Sequence, residues 1–186
     1  MRPEPYSSES QLLTAAARGD PEAVRAFLDS VGPTVYGFLF ARVGGDEPAA
    51  EDLLQETLLE AIRSARSFRG DAGLRTWVCA IARRRLARHY EAERRQAVAE
   101  SGLTLLGEIS TEGAGRGDDV ERRDEIVRAL GRLPAVHRQV LVLKYLDGLA
   151  VAEIADEMGR TPIQVQSLLQ RAREGLRRQL GEGEDA

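Results

Sequence analysis

The feature that most limits this chain is a break in its pattern. From Ser101 to Asp119 five glycines fall among serine, threonine and acids, and apart from Leu103, Leu105, Leu106 and Ile109 there is little apolar content and no sustained period. Such a stretch reads as a linker, placed at residues 100–118. On either side the apolar residues recur at helical spacing. A chain of 186 residues divided in this way has room for two small cores, not for one large enzyme core. The expectation is an all-α protein: a helical bundle over residues 1–99, a flexible linker, and a second helical domain over residues 119–186.

Helix signals come early. A short first helix spans about Glu9 to Arg18. Asp20 followed by Pro21 is an N-cap with proline in the first turn, and Val24, Phe27 and Leu28 share a face up to Asp29. A third helix is expected from Thr34 to Val43, ending at Gly44-Gly45. The next begins near Pro48, capped by Asp46 or Glu47, with Leu54, Leu58, Ala61 and Ile62 as its core stripe. A long helix from Leu74 to Glu100 then puts its apolar residues, Trp77, Val78, Ile81 and Leu86, in its first half. Helical pattern resumes from Val120 to Leu133, breaks at Pro134, runs to Tyr145 and pauses at Asp147-Gly148. Two further helices follow, split at Gly159, and residues 181–186 form a short acidic tail.

The totals exclude several classes. No uncharged apolar stretch approaches the roughly 18 residues a membrane span needs, and Met1 to Ser10 has no signal-peptide pattern, so the cytoplasm is the expected compartment. One cysteine, Cys79, rules out an internal disulfide. With His89 and His137 far apart, no metal site and no cofactor are expected. Cys79 has no neighbouring base to activate it, and no glycine loop cradles phosphate, so Cys79 reads as a small core residue and no enzyme activity is expected.

The net charge of −4 hides an uneven distribution. Asp46 to Glu60 holds six acids and no base, whereas Arg63 to Arg95 holds ten bases against three acids. Neighbouring surfaces of opposite sign suit two different partners. Asp52, Glu56 and Glu60, spaced i, i+4, share one face with Gln55 nearby, a surface better matched to a basic protein than to DNA. Phe68, Trp77 and Tyr90 are interleaved with Arg66, Arg69, Arg75, Arg83, Arg84, Arg85 and Arg88. Aromatics beside guanidinium groups can hold an unpaired base by stacking while anchoring phosphates. Phe68 and Trp77 are equally at home in a core, in which case the arginines and the loop Gly70 to Gly73 remain as contacts.

Val151 to Arg171 fits a helix-turn-helix. Ile154, Ala155 and Met158 lie on the first helix, Gly159 forms the turn, and Val165 with Leu168 or Leu169 lies on the second. Thr161, Pro162 and Gln164 supply a cap, a first-turn proline and a capping-box partner. Arg160, Arg171, Arg173, Arg177 and Arg178 follow as candidates for phosphate contact, although they also suit a solvated face.

Taken together, these residues resemble the extracytoplasmic-function (ECF) sigma factors of bacterial RNA polymerase. Ala50-Glu51-Asp52-Leu53-Leu54-Gln55-Glu56, Phe68-Arg69, Arg75-Thr76-Trp77 and Ile81-Ala82-Arg83-Arg84 look like that family's region two. Leu133-Pro134, Arg138-Gln139-Val140-Leu141, Tyr145 to Leu149, Glu153-Ile154-Ala155 and Arg171-Ala172-Arg173 look like its region four. The resemblance implies a transcription initiation factor that directs core RNA polymerase to promoters. Asp52, Gln55, Glu56 and Glu60 would dock on the clamp coiled coil of the largest subunit. Phe68, Arg69, Arg75, Trp77, Arg83, Arg84 and Arg88 would open the minus-10 element. Thr161, Pro162, Gln164, Gln166, Ser167, Gln170, Arg171 and Arg173 would read the minus-35 element. The flap of the second-largest subunit is a further contact, and an anti-sigma factor a further partner class.

The chain departs from the family pattern in places. Ala150 stands where a capping serine is common, Gln166 and Leu168 where Lys and Arg are common, and Arg84 where Asn is frequent. Glutamines suit adenine edges, so base preferences do not transfer directly. The rival readings are a helix-turn-helix repressor or activator working on duplex DNA without polymerase, and a helical protein–protein adaptor with no dependence on DNA.

Overall fold

The computed structural model describes Tyr6 and residues 8–100 and 118–181, and every regular element among them is helical. Most of the expected linker, Leu103 to Ile109 included, and the acidic tail from residue 182 lie outside the described residues.

Helices begin where side chains can satisfy the free N–H groups of the first turn. Ser8 accepts from the Gln11 N–H at 3.2 Å and starts α1, Glu9–Ala17. Asp20 accepts from Glu22 and Ala23 at 2.9 and 3.1 Å and starts α2, Pro21–Arg42. The sequence predicts two helices where α2 is one, running straight through Pro33. A proline inside a helix costs about 3 kcal/mol. Here the unbroken i, i+4 row Ala23, Phe27, Val31, Val35 and Leu39, every member fully buried, outweighs that cost.

α3 spans Glu47–Arg63, and α4 spans Leu74–Glu100, as expected. The buried row of α3 is Ala50, Leu53, Thr57 and Ala61; Ala61 is buried as expected, whereas Leu54, Leu58 and Ile62 of the expected stripe are half-buried. A short 3-10 turn, Ala65–Ser67, precedes α4. The start of α4 is tied from a distance: Glu9 of α1 accepts from the Leu74 N–H at 2.8 Å. Cys79 is half-buried.

The described chain falls into two compact units. The first comprises Met1–Phe40 with Glu47–His89, and the second Ala41–Asp46 with Tyr90–Ala186. The second unit contains α5, Asp118–Gly131, α6, Ala135–Leu141, a wide π turn at Val142–Leu146, α7, Val151–Met158, and α8, Pro162–Gly181. Its apolar core gathers Leu130, Leu133, Val140, Leu141, Leu143, Ile154, Met158, Val165, Leu168 and Leu169.

Beside that core lies a buried polar cluster. Within this same unit Arg42 pairs with Asp147 at 2.7 Å, both side chains at most 9% exposed, and Arg138 grips both Glu93 oxygens at 2.7 and 2.9 Å. The Tyr90 hydroxyl donates to the Arg42 carbonyl at 2.6 Å, and burial holds its pKa far above the ordinary value. Gly44 takes a left-handed φ of 74°, and a Cβ there would stand 2.5 Å from Gly131 Cα, so the close approach of these two backbones needs glycine.

Two stability outcomes follow from this packing. Asp147→Ala removes the carboxylate that sits 2.7 Å from the buried Arg42 guanidinium and is expected to cost the second unit about 3–5 kcal/mol in urea unfolding. Thr57 is fully buried and its hydroxyl finds no hydrogen-bond partner. Thr57→Val is therefore expected to be neutral or to stabilise by about 1 kcal/mol in the same measurement.

Candidate functional site

In the second unit, α7 and α8 form the expected helix-turn-helix. Gly159 ends α7 in the left-handed region at φ 60°, and the chain turns at once into α8. The capping box at α8 is complete. The Thr161 N–H donates to Gln164 Oε1 at 2.9 Å, and the Gln164 N–H donates to Thr161 Oγ1 at 3.3 Å. At α7 the box is half made. Glu153 accepts from the Ala150 N–H at 2.7 Å, but alanine has no oxygen to return.

With Val165, Leu168, Leu169 and Ala172 buried, α8 turns Pro162, Gln164, Gln166, Ser167, Gln170 and Arg171 to solvent, and Thr161 is exposed at its start. Leu168 is a core residue, only 5% exposed, and takes no part in this outward face. Arg171 donates to the Ser167 carbonyl at 3.4 Å, and Gln170 to Glu174 at 3.2 Å. Arg173, also exposed, leans the other way, reaching the Tyr145 hydroxyl at 3.5 Å. His137 of α6 is half-buried, and burial followed by the Arg171 charge pushes its imidazole below the ordinary value.

In the first unit, Asp52, Gln55 and Glu56 project from α3 into solvent. Glu60, the fourth residue of the expected ridge, is drawn inward and accepts from Arg85 of α4 at 2.6 Å, while Arg84 lies 3.5 Å away. Arg85 also reaches Glu56 at 3.1 Å. Burial pushes the Glu60 carboxyl up, but hydrogen bonds and charge from Arg85 and Arg84 outweigh it and hold the group below its ordinary range.

Of the basic set, Arg69, Arg75, Arg83, Arg84 and Arg88 are exposed. Arg75 donates to the Ser30 carbonyl at 2.9 Å, and Arg83 lies over the Phe38 ring at 5.7 Å. Phe68 is buried, and Trp77, half-buried, meets it at 5.3 Å between ring centroids. Tyr90 is 3% exposed, a core residue of the second unit.

Comparison with known proteins matches both halves of the chain. The family model "Sigma-70 region 2" matches residues 27–96, and "Sigma-70, region 4" matches residues 123–176. The ECF RNA polymerase sigma factor SigK of Mycobacterium ulcerans is 31% identical, over 89% of this chain and 90% of SigK. This chain belongs to the ECF sigma factors. It is a promoter-directing transcription initiation factor built on sigma-70 regions 2 and 4. The ECF sigma factor BldN of Streptomyces coelicolor is 30% identical over 91% of this chain, which spans 65% of BldN's length. The fold is also that of the sigma factor RpoE of Bartonella quintana, solved with the anti-sigma factor NepR. That likeness has a TM-score of 0.50 and 24% identity and covers 86% of this chain and 98% of RpoE.

Sequence reasoning missed two features of this sigma factor. Leu59 is 52% exposed, one turn on from Gln55 and Glu56. The adjacent leucines 58 and 59 were its signal, since neighbouring helix positions cannot both face one core. In the second unit Ile126, Leu130, Tyr145, Leu146, Leu176 and Leu180 line an apolar groove of about 330 Å³, flanked by Arg173 and Arg177. Ile126 of α5 is 44% exposed although its helix neighbours Val127, Ala129 and Leu130 are buried. Among the described residues no helix is long and apolar enough to cross a membrane.

The state of Glu60 has a pH signature. Its folded carboxyl holds a proton less tightly than an unfolded one, so the Arg85 and Arg84 contacts contribute fully above the ordinary value of 4.5 and are lost as pH falls through the folded value. Glu60→Gln is expected to flatten the acid side of the stability curve below pH 4.5, with little change at neutral pH beyond a constant offset. An unaltered acid limb would show that these arginines do not hold the carboxyl.

Proposed function

We propose that this sigma factor works as a two-part reader whose parts act only on core RNA polymerase. The functional division is the one expected from sequence, residues 1–99, 100–118 and 119–186, and both family matches fall inside it. The observation that carries the reading is the pairing, on one chain, of an exposed acidic ridge on α3 with an exposed amide-rich face on α8. The ridge suits a basic protein surface, and the amide face suits base edges in a major groove.

Asp52, Gln55 and Glu56, with Leu59 as their apolar centre, dock on the clamp coiled coil of the largest subunit, and Glu60 holds the ridge against α4. Arg69, Arg75, Arg83, Arg84 and Arg88 hold the strands of the minus-10 element, with Trp77 at the edge of the loop that receives an unpaired base and Phe68 supporting it from behind. Gln164, Gln166, Ser167, Gln170 and Arg171 face the minus-35 element, Thr161 and Pro162 setting where that face begins. Arg173 flanks the apolar groove, which takes the flap of the second-largest subunit.

Unpairing a promoter costs several kcal/mol, and stacking recovers roughly 1–3 per base, so a small acidic chain needs the polymerase to hold both parts at once. The chain carries out no catalytic step of its own, takes no cofactor or metal and acts in the cytoplasm. RpoE was crystallised with an anti-sigma factor, and a partner of that class would compete with core polymerase for the same docking surfaces.

Run-off transcription from genomic fragments, with core polymerase and this chain, tests the proposal directly. Specific start sites that vanish without the chain are expected, whereas a repressor or an adaptor confers none. Asp52→Arg is expected to weaken core binding about tenfold, near 1.4 kcal/mol, while leaving the fold intact. Arg171→Ala should weaken promoter retention across sequences and lower the salt slope by about one phosphate contact.

A further inference from the structure

The outward face of α8 carries one residue that neither packing nor phosphate contact accounts for. Ile163 is 79% exposed, more than any other large hydrophobic side chain among the described residues. It stands in the first turn, between Pro162 and the capping glutamine. Helical spacing puts it on the same face as Gln166, Ser167 and Gln170, near the middle of the amide surface.

Local structure does not call for it. A β-branched residue is a middling helix former, the helix start is already fixed by Thr161 and Gln164, and Val165 supplies the buried apolar contact of that turn. Nor does it belong to the apolar groove of the same unit. Leu176, which lines that groove, lies about 20 Å further along the α8 axis at 1.5 Å per residue. Ile163 is therefore an isolated apolar group in a polar reading surface.

In the major groove one base edge offers an apolar group, the C5 methyl of thymine. We infer that Ile163 is a specificity-determining residue of this sigma factor, packing on a thymine methyl in the minus-35 element and selecting T at one position. The inference rests on the reading that α8 enters the major groove. It adds an aliphatic contact to a face whose other side chains, Pro162 aside, are hydrogen-bonding or charged. Gln166 and Gln170 then select neighbouring bases by hydrogen bonding while Ile163 selects by shape and desolvation.

The test uses holoenzyme, reconstituted from core polymerase and the full chain. The template is a promoter fragment recovered by run-off selection, its minus-35 window randomised, and the retained fraction is sequenced. Wild type is expected to enrich T at one column, and Ile163→Ala to reduce that preference about fourfold while the other columns stand, the scale of one buried methyl group. Replacing that thymine by deoxyuridine, which removes only the methyl, should weaken wild-type retention by the same factor and leave Ile163→Ala unaffected. A T column that survives Ile163→Ala, a lost column that is not T, or a deoxyuridine penalty equal in both proteins would overturn the inference. Arg171→Ala separates this from failure of the underlying reading. If that variant retains the whole library as well as wild type does, α8 is not on the DNA and both fall together.

Discussion

What α8 can present to a partner depends on where the helix begins, and two hydrogen bonds between Thr161 and Gln164 decide that. A helix started one residue later would rotate its outward face by about 100°, given 3.6 residues per turn, and bring buried leucines to the surface. Gly159, left-handed at φ 60°, turns the chain just before the cap, and Val165 closes the space beneath it. The amide face, the position of Arg171 and the divergence of Arg173 toward the groove all follow from this start.

A second constraint sits in the other unit. Arg85 is shared by Glu56 and Glu60, so part of the acidic charge of α3 is answered inside the protein by α4. Asp52 and Gln55 are left projecting from a surface whose orientation is held by its own ion pairs. Arg84, at 3.5 Å from Glu60, pairs with it loosely while most of its side chain stays exposed. The opposite charges of α3 and α4 thus serve two ends: the residues facing each other fasten the helices, and the residues facing away remain for partners.

Much of this was legible in the order of residues, and the failures have physical causes. The bounds of α4, the cap at Asp20 and the turn at Gly159 were readable because each is a local rule, satisfied within a few residues. The expected break between Asp29 and Thr34 does not occur, because burial along the whole of α2 outweighs the local penalty of Pro33. Of the expected α3 stripe Ala61 is buried, whereas Leu54 and Leu58 are only half-buried, because the polar Thr57 takes a buried site that side-chain type alone does not reveal. At the candidate site, exposure of Asp52, Gln55, Glu56 and the α8 glutamines was foreseeable from periodicity. The inward turn of Glu60 and the apolar groove depend on neighbours far away in sequence, which no local pattern encodes.

One long-range bond carries a consequence for how the molecule tolerates shortening. The carboxylate of Glu9 accepts from the Leu74 N–H, 65 positions downstream, and so anchors the first turn of the helix that bears the basic set. Cleavage that removed Glu9 would take away that acceptor. It would expose an unanswered amide at the root of the arginine-bearing helix, so damage at one extremity would surface as fraying deep in the middle of the polypeptide.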